Sequence, residues 1–312
     1  MASKINSLLT QFLEYLEIEK NRSQLTVRNY DFYLKKFFEF AKITDPKEID
    51  LDKVRQFRIN LNRLVVKGKN LKKSTQNYYV IALRSFLKFL AKRDIKTMAP
   101  EKIELARAES RQVDFLEGSD LERLLEAPLK AVEPEIIKLR DKAILELLFS
   151  AGLRVSELAN LKIDNVNLDK DEFTVRGKGD KLRVVFLSNQ ARHALKSYIQ
   201  TRHDMEPWLF VSHDKASAKR EKKQDKKSAP LTPRSIQRLV EKYSTTAGIA
   251  KHVTPHTLRH SYATDLLLNG ADIRSVQAML GHSSITTTQI YTHITNQQLR
   301  EVHKAFHGRK RK

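Results

Sequence analysis

Apolar side chains recur at helical spacing through most of this chain. Ile5, Leu8, Leu9, Phe12 and Leu16 fall on one face of a helix over about residues 4–20. Val27, Tyr30, Leu34, Phe37 and Phe38 predict a second helix from near Thr26. Asp45-Pro46 breaks the period, and Leu51, Val54, Phe57 and Leu61 restore it. Gly68 and its lysine neighbours predict a loop. A further helix from near Ser74 then turns Tyr79, Leu83, Phe86 and Leu90 inward. These segments predict a helical domain of four or five helices over residues 1–101. Residues 102–113 mix charges without any apolar period, as an interdomain linker does.

A second domain is predicted over residues 114–312. Ser119 reads as the N-cap of a helix holding Leu121, Leu124 and Leu125. Ile136 to Phe149 is strongly apolar and predicts a buried core helix. It stops at Ser150-Ala151-Gly152, with Arg154 directly after and a short helix through Val155, Leu158 and Leu161. The period then changes to two. Phe173, Val175 and the run Val184 to Leu187 flank Arg176-Gly177-Lys178-Gly179-Asp180, which predicts a hairpin with Lys178 near its tip. A helix over Ala191 to Thr201, a strand-like WLFVS from Trp208 and a helix with Ile236, Leu239 and Val240 follow. The fold class is therefore mainly α with a small antiparallel β-sheet.

The stretch from Thr254 to Ile294 is the most loaded with reactive groups. Thr254-Pro255 has the form of an N-cap and first helical residue. His256 and Arg259 lie three apart on the helix that follows. His256 falls in the first turn, where free N–H groups favour an anion. Leu258, Tyr262, Ala263, Leu266 and Leu267 form an apolar stripe, and Asn269-Gly270 marks the stop. A helix from about Asp272 to Leu280 closes at Gly281, with His282 next. A short helical segment then carries Tyr291, and Gln297 to Phe306 predicts a last helix with Leu299, Val302 and Phe306 on one side.

Charge narrows the class of partner. The 312 residues carry 58 Lys and Arg against 37 Asp and Glu, a formal net charge of +21. So large an excess points to a polyanion, nucleic acid before an acidic membrane surface. Lys67, Lys69, Lys72, Lys73, Arg84, Lys88, Lys92 and Arg93 concentrate part of it in the first domain. Lys215 to Lys227 adds seven basic against two acidic side chains, the pattern of an exposed loop. Without cysteine, disulfides and thiolate metal sites are excluded. No apolar run is long enough to span a bilayer, and the start leads into an amphipathic helix rather than a signal peptide. The expectation is a soluble, cytoplasmic protein.

Arg154, Lys178, His256, Arg259, His282 and Tyr291 together suit phosphoryl transfer. Two guanidinium groups can each bond a phosphodiester through paired N–H groups and stay charged at any working pH. They would stabilise the extra charge of a pentacoordinate transition state. A phenol can be the nucleophile, and a lysine between glycines can protonate a leaving hydroxyl. No acidic cluster or histidine pair with metal spacing accompanies them, so neither metal nor cofactor is expected. Taken singly, each residue also fits a cap, a packing position or a solvated surface.

Four segments change that balance. AGLRVSEL around Arg154, RGKGDKLR around Lys178, HTLRHSYAT around Arg259 and LGHSSITTTQIYTH around Tyr291 resemble, in this order, the tyrosine recombinases of phage-integrase type, and among them the Xer branch. The resemblance extends over essentially the whole chain, the first domain being similar to that family's core-binding domain. It implies that Tyr291 attacks the scissile phosphate of duplex DNA to give a 3′-phosphotyrosine, while Lys178 protonates the 5′-oxygen. It further implies that Arg154 and Arg259 hold the phosphate, that His256 exchanges a proton with the tyrosine, and that His282 hydrogen-bonds the phosphate. Glu157 is expected to brace this set. Four protomers on two DNA sites would exchange strands through a Holliday junction, with the C-terminal helix docked on a neighbour and a second recombinase or an activating translocase as further partners. The implied task is resolution of chromosome or plasmid dimers. The alternatives are integration of a mobile element and, in a different class, a non-catalytic architectural DNA-binding protein.

Overall fold

The computed structural model describes residues 4–66, 68–106, 114–177, 182–213 and 230–281. The chain divides into two compact units, residues 1–110 and 111–312.

In the first unit four helices enclose an aromatic core: α1 (Lys4–Ile18), α2 (Gln24–Ala41), α3 (Leu51–Arg63) and α4 (Lys73–Ala91). Their starts are written in the sequence. The Ser23 hydroxyl accepts from the Thr26 amide, and the Asp50 carboxylate accepts from the Lys53 amide at 2.7 Å. Phe12, Phe37 and Phe86 are fully buried, and Phe12 meets Phe86 edge-on with centroids 5.4 Å apart.

Two expectations need correcting here. Around Gly68 the chain forms a minimal antiparallel hairpin, β1 (Val65–Val66) with β2 (Lys69–Asn70), where a plain loop was expected. The expected linker from residue 102 is also partly structured. Ile103 is buried in the core of the first unit, Arg58 donates to the Glu104 carbonyl, and Asn77 exchanges hydrogen bonds with Ala106 in both directions. Ile103 and Leu105, two apart among charges, make no helical period, so burial of Ile103 left no mark in the pattern.

The second unit is built on α6 (Glu135–Ala151), which follows α5 (Gly118–Glu126). Glu117, not Ser119, is the N-cap of α5, which places Ser119 inside the helix. Ala143, Ile144, Leu145, Leu147 and Leu148 leave α6 no exposed apolar stripe; it is core on nearly every side. Packed with it are α7 (Val155–Ala159), α8 (Asn189–Thr201), α9 (Pro233–Thr246) and α10 (Pro255–Leu268), then α11 (Ile273–Leu280). A buried polar group ties α6 to α9. Arg140 bonds Asp141 and the Val211 carbonyl, and the Tyr243 hydroxyl donates to Asp141 at 2.9 Å.

β3 (Glu172–Arg176) pairs antiparallel with β4 (Leu182–Phe186), in a register that sets Phe173 opposite Val185 and Val175 opposite Arg183. Phe173, Val175 and Val185 face the core, while Leu182, Val184 and Phe186 are exposed. The WLFVS run is not a strand. Among the described residues it makes only isolated bridges, Lys162 with Trp208 and Val211 with Pro230, with Leu209 and Phe210 buried. Helix α10 also departs from expectation. Besides the apolar stripe it buries Thr257, Arg259, Ser261 and Thr264, so nearly its whole girth is inside the protein.

Candidate active site

The site begins where α6 ends. Gly152 takes φ +55, and a Cβ there would fall 2.4 Å from the Tyr262 ring. Only glycine meets both demands. The turn lets Leu153 bury and presents Arg154 as the N-cap of α7. The five-residue α7 then returns a carboxylate toward it. Glu157 accepts from the Arg154 amide and from Arg154 Nη1, both at 2.8 Å.

A second guanidinium reaches the same carboxylate. Arg183 of β4 donates from Nη1 to Glu157 Oε1 and from Nη2 to Oε2, each at 2.8 Å, and from Nε to the Met279 carbonyl at 3.2 Å. Burial pushes the Glu157 carboxyl upward, but hydrogen bonds from Arg183 and the Arg154 amide outweigh it and hold its pKa at about 2. Glu157 is therefore an anion throughout the physiological range.

Arg259 comes from the middle of α10 and is 4% exposed. Its Nη1 donates to the Gly152 carbonyl, and its Nη2 to the Leu280 carbonyl at 2.5 Å. Arg154 Nη2 donates to the Gly281 carbonyl at 3.1 Å. The last carbonyls of α11, at Met279, Leu280 and Gly281, thus accept from Arg183, Arg259 and Arg154 in turn. A helix end lacks partners for such carbonyls and carries partial negative charge, so guanidinium groups satisfy it on both counts. With one carboxylate among three arginines, the cluster keeps a surplus of positive charge.

His256 lies in the first turn of α10. The turn is fixed by Thr254, whose hydroxyl accepts from the Thr257 amide at 3.2 Å while Thr257 accepts from Thr254 in return. The His256 side chain is exposed. One turn on, His260 is half-buried, and burial, with His256 and Arg259 nearby, lowers its pKa to about 4. Among the described residues no three His, Asp or Glu side chains are placed to hold a metal ion.

Of the six residues singled out in the sequence, Arg154 and Arg259 meet at the end of α11, and His256 shares α10 with Arg259. Lys178, His282 and Tyr291 lie outside the described residues. Arg183 was missed by sequence reasoning. Its signal is an arginine at an inward position of β4, opposite Val175, where alternation calls for an apolar side chain.

Comparison with known proteins shows the family of the chain. The phage integrase family model matches residues 114–298, and the model of the phage integrase N-terminal SAM-like domain matches residues 9–94. Tyrosine recombinase XerC of Bacillus subtilis is 36% identical over 317 residues, covering 98% of this chain and 97% of its own. Tyrosine recombinase XerA of Pyrococcus horikoshii is 39% identical, covering 95% and 93%. Among solved structures, that of XerA recombinase is 32% identical with a TM-score of 0.52, covering 97% of this chain and 99% of the other. XerH site-specific recombinase bound to its difH substrate in a pre-cleavage complex is 25% identical with a TM-score of 0.68, covering 94% and 83%. The chain belongs to the phage integrase family, among the tyrosine recombinases of the Xer branch.

Proposed function

We propose that the protein is a site-specific DNA recombinase that cuts and rejoins duplex DNA through a 3′-phosphotyrosine. The observation that carries this reading is the convergence of Arg154 and Arg259, from two different helices, on one helix end with surplus positive charge. A guanidinium's planar, permanently charged fork of N–H groups matches the non-bridging oxygens of a phosphodiester. In the forward step the Tyr291 oxygen bonds to phosphorus as the bond to the 5′-oxygen breaks. Tyr291 loses its proton to His256, and Lys178 gives one to the departing 5′-oxygen. His282 donates to the phosphate. Rejoining reverses each transfer, so the ester's bond energy is kept and no nucleotide is hydrolysed.

The Xer relatives favour resolution of chromosome or plasmid dimers over integration of a mobile element. A purely architectural role is disfavoured because all six chemical groups are present in the sequence. On this reading residues 1–101 and 114–312 are two DNA-binding units, and four protomers act on two sites, alone or with a second recombinase or a translocase. No helix among the described residues is long and apolar enough to cross a membrane; the expected place of action is the nucleoid in the cytoplasm.

A nicked suicide substrate, whose cut strand diffuses away, tests the nucleophile. The full chain should become covalently attached to DNA, whereas Tyr291→Phe should bind the same DNA and stay unattached. Attachment of the Phe variant would overturn the assignment.

A further inference from the structure

We infer that Arg183 is a positioning residue of this site, one that sets Arg154 through Glu157 and fastens the end of α11 to the β3–β4 hairpin. This rests on the recombinase reading above and adds a residue to it.

Arg183 bonds both oxygens of Glu157, so the carboxylate cannot rotate without breaking a paired contact. The same two oxygens receive Arg154, one its side chain and the other its backbone amide. Glu157 is thus a bridge with a guanidinium on either side, and its orientation fixes where Arg154 points. The third Arg183 bond goes to Met279, one residue before the carbonyl held by Arg259 and two before the one held by Arg154. Its stem is equally constrained. A Cβ at Gly281 would come within 2.8 Å of Arg183 Cδ, so the stem runs directly over the turn that ends α11.

Charge alone does not account for this arrangement. A surface arginine gains little from a single carboxylate and keeps its rotamers. Arg183 has a 9% exposed side chain and spends its guanidinium on protein acceptors, two on Glu157 and one on Met279. A group so engaged is poorly placed to bind DNA itself, and well placed to hold groups that do. Through β4 it is also joined to the hairpin whose tip carries Lys178 in the sequence.

The test uses the full chain with Arg183→Gln, Arg183→Lys, Glu157→Gln and the double variant Arg183→Gln/Glu157→Gln. Circular dichroism first identifies the folded variants. For these, DNA affinity and the rate of covalent attachment at saturating protein are measured on the suicide substrate. Loss of position by about an ångström costs on the order of 100-fold in rate. Arg183→Gln should therefore slow attachment about 100-fold while DNA affinity changes by less than about 3-fold. The double variant should be no slower than the worse single one. Arg183→Lys keeps the charge but not the paired contact and should recover only a small part of the rate. It also serves as the probe if the Gln variant does not fold.

Wild-type rates in a folded Arg183 variant would overturn the inference, as would a loss confined to DNA affinity. Single effects that multiply in the double variant would show that Arg183 does not act through Glu157. Failure of the wild-type chain to attach would remove the recombinase reading and this inference with it. Attachment by wild type at a rate Arg183→Gln matches removes this inference alone.

Discussion

Arg259 Nη2, from the middle of α10, lies 2.5 Å from the carbonyl oxygen of Leu280 and donates to it, while Nη1 of the same guanidinium reaches the Gly152 carbonyl. One buried side chain thus joins the end of α6 to the end of α11. Arg259→Lys keeps the charge, but a single ammonium cannot serve both carbonyls in one plane. Covalent attachment should fall by roughly 100- to 1,000-fold, the usual effect of removing a transition-state donor. Stability should drop by about 1–3 kcal/mol, from the orphaned carbonyl. Single-turnover attachment and urea unfolding measure the two effects separately.

Gly152 and Gly118 offer a controlled pair. Both have positive φ, +55 and +42, but a Cβ at Gly118 meets nothing within 4 Å while one at Gly152 meets Tyr262. Gly118→Ala should cost only the backbone term, about 1–2 kcal/mol. Gly152→Ala should cost that plus overpacking, roughly 2–5 kcal/mol in all. Equal urea midpoints for the two variants would contradict the close approach of Tyr262.

Two groups near the site make stability fall as pH falls, in different pH windows. Glu157, held at about 2, contributes stability that is complete above the ordinary carboxyl value of 4.5 and is lost as pH falls through about 2. His260, lowered from 6.5 to about 4, binds its proton more weakly folded than unfolded. Its neutral form therefore costs nothing above pH 6.5, and the native state is progressively disfavoured as pH falls from 6.5 to 4. Chemical unfolding at pH 7.5 and pH 5 should show wild type losing stability relative to His260→Asn. A His260→Asn difference that stays constant over that interval would contradict the buried neutral imidazole.

The Arg140, Asp141 and Tyr243 group separates stability from chemistry. Tyr243→Phe takes one donor from a buried carboxylate and should destabilise by about 1–3 kcal/mol. Asp141→Ala strands Arg140 and should cost about 3–5 kcal/mol. Since neither residue bonds to Arg154, Arg183, Glu157 or Arg259, covalent attachment per folded molecule should be unchanged in Tyr243→Phe. Thermal melts with parallel suicide-substrate assays would show it.

Much of this was legible in the chain because it depends on local rules. Periodicity located the helices that bury Phe12, Leu83 and Leu148. Thr254-Pro255, Asp272 and the glycines at 152 and 281 marked where helices begin and end. What escaped depends on distant partners. Trp208 to Val211 has strand composition, but a strand needs a continuous neighbour, and among the described residues it is bridged at single positions, by Lys162 and by Pro230. Ile103 is buried by α3 and α4, far back in sequence. Thr257, Ser261 and Thr264 are interior because other elements surround α10; nothing in their own hydropathy says so. Arg183 was overlooked because the meaning of a strand arginine lies in the carboxylate it faces, 26 residues earlier.

The eight-residue helix α11 is too short to hold its shape unaided. Its last carbonyls are kept in place by Arg183, Arg259 and Arg154, and those side chains are in turn kept in place by the carbonyls. One helix end is consequently an anchor shared by three arginines from three different elements. Fraying at the end of α11 removes one acceptor from each of the three in the same event, and leaves them Glu157 and the Gly152 carbonyl.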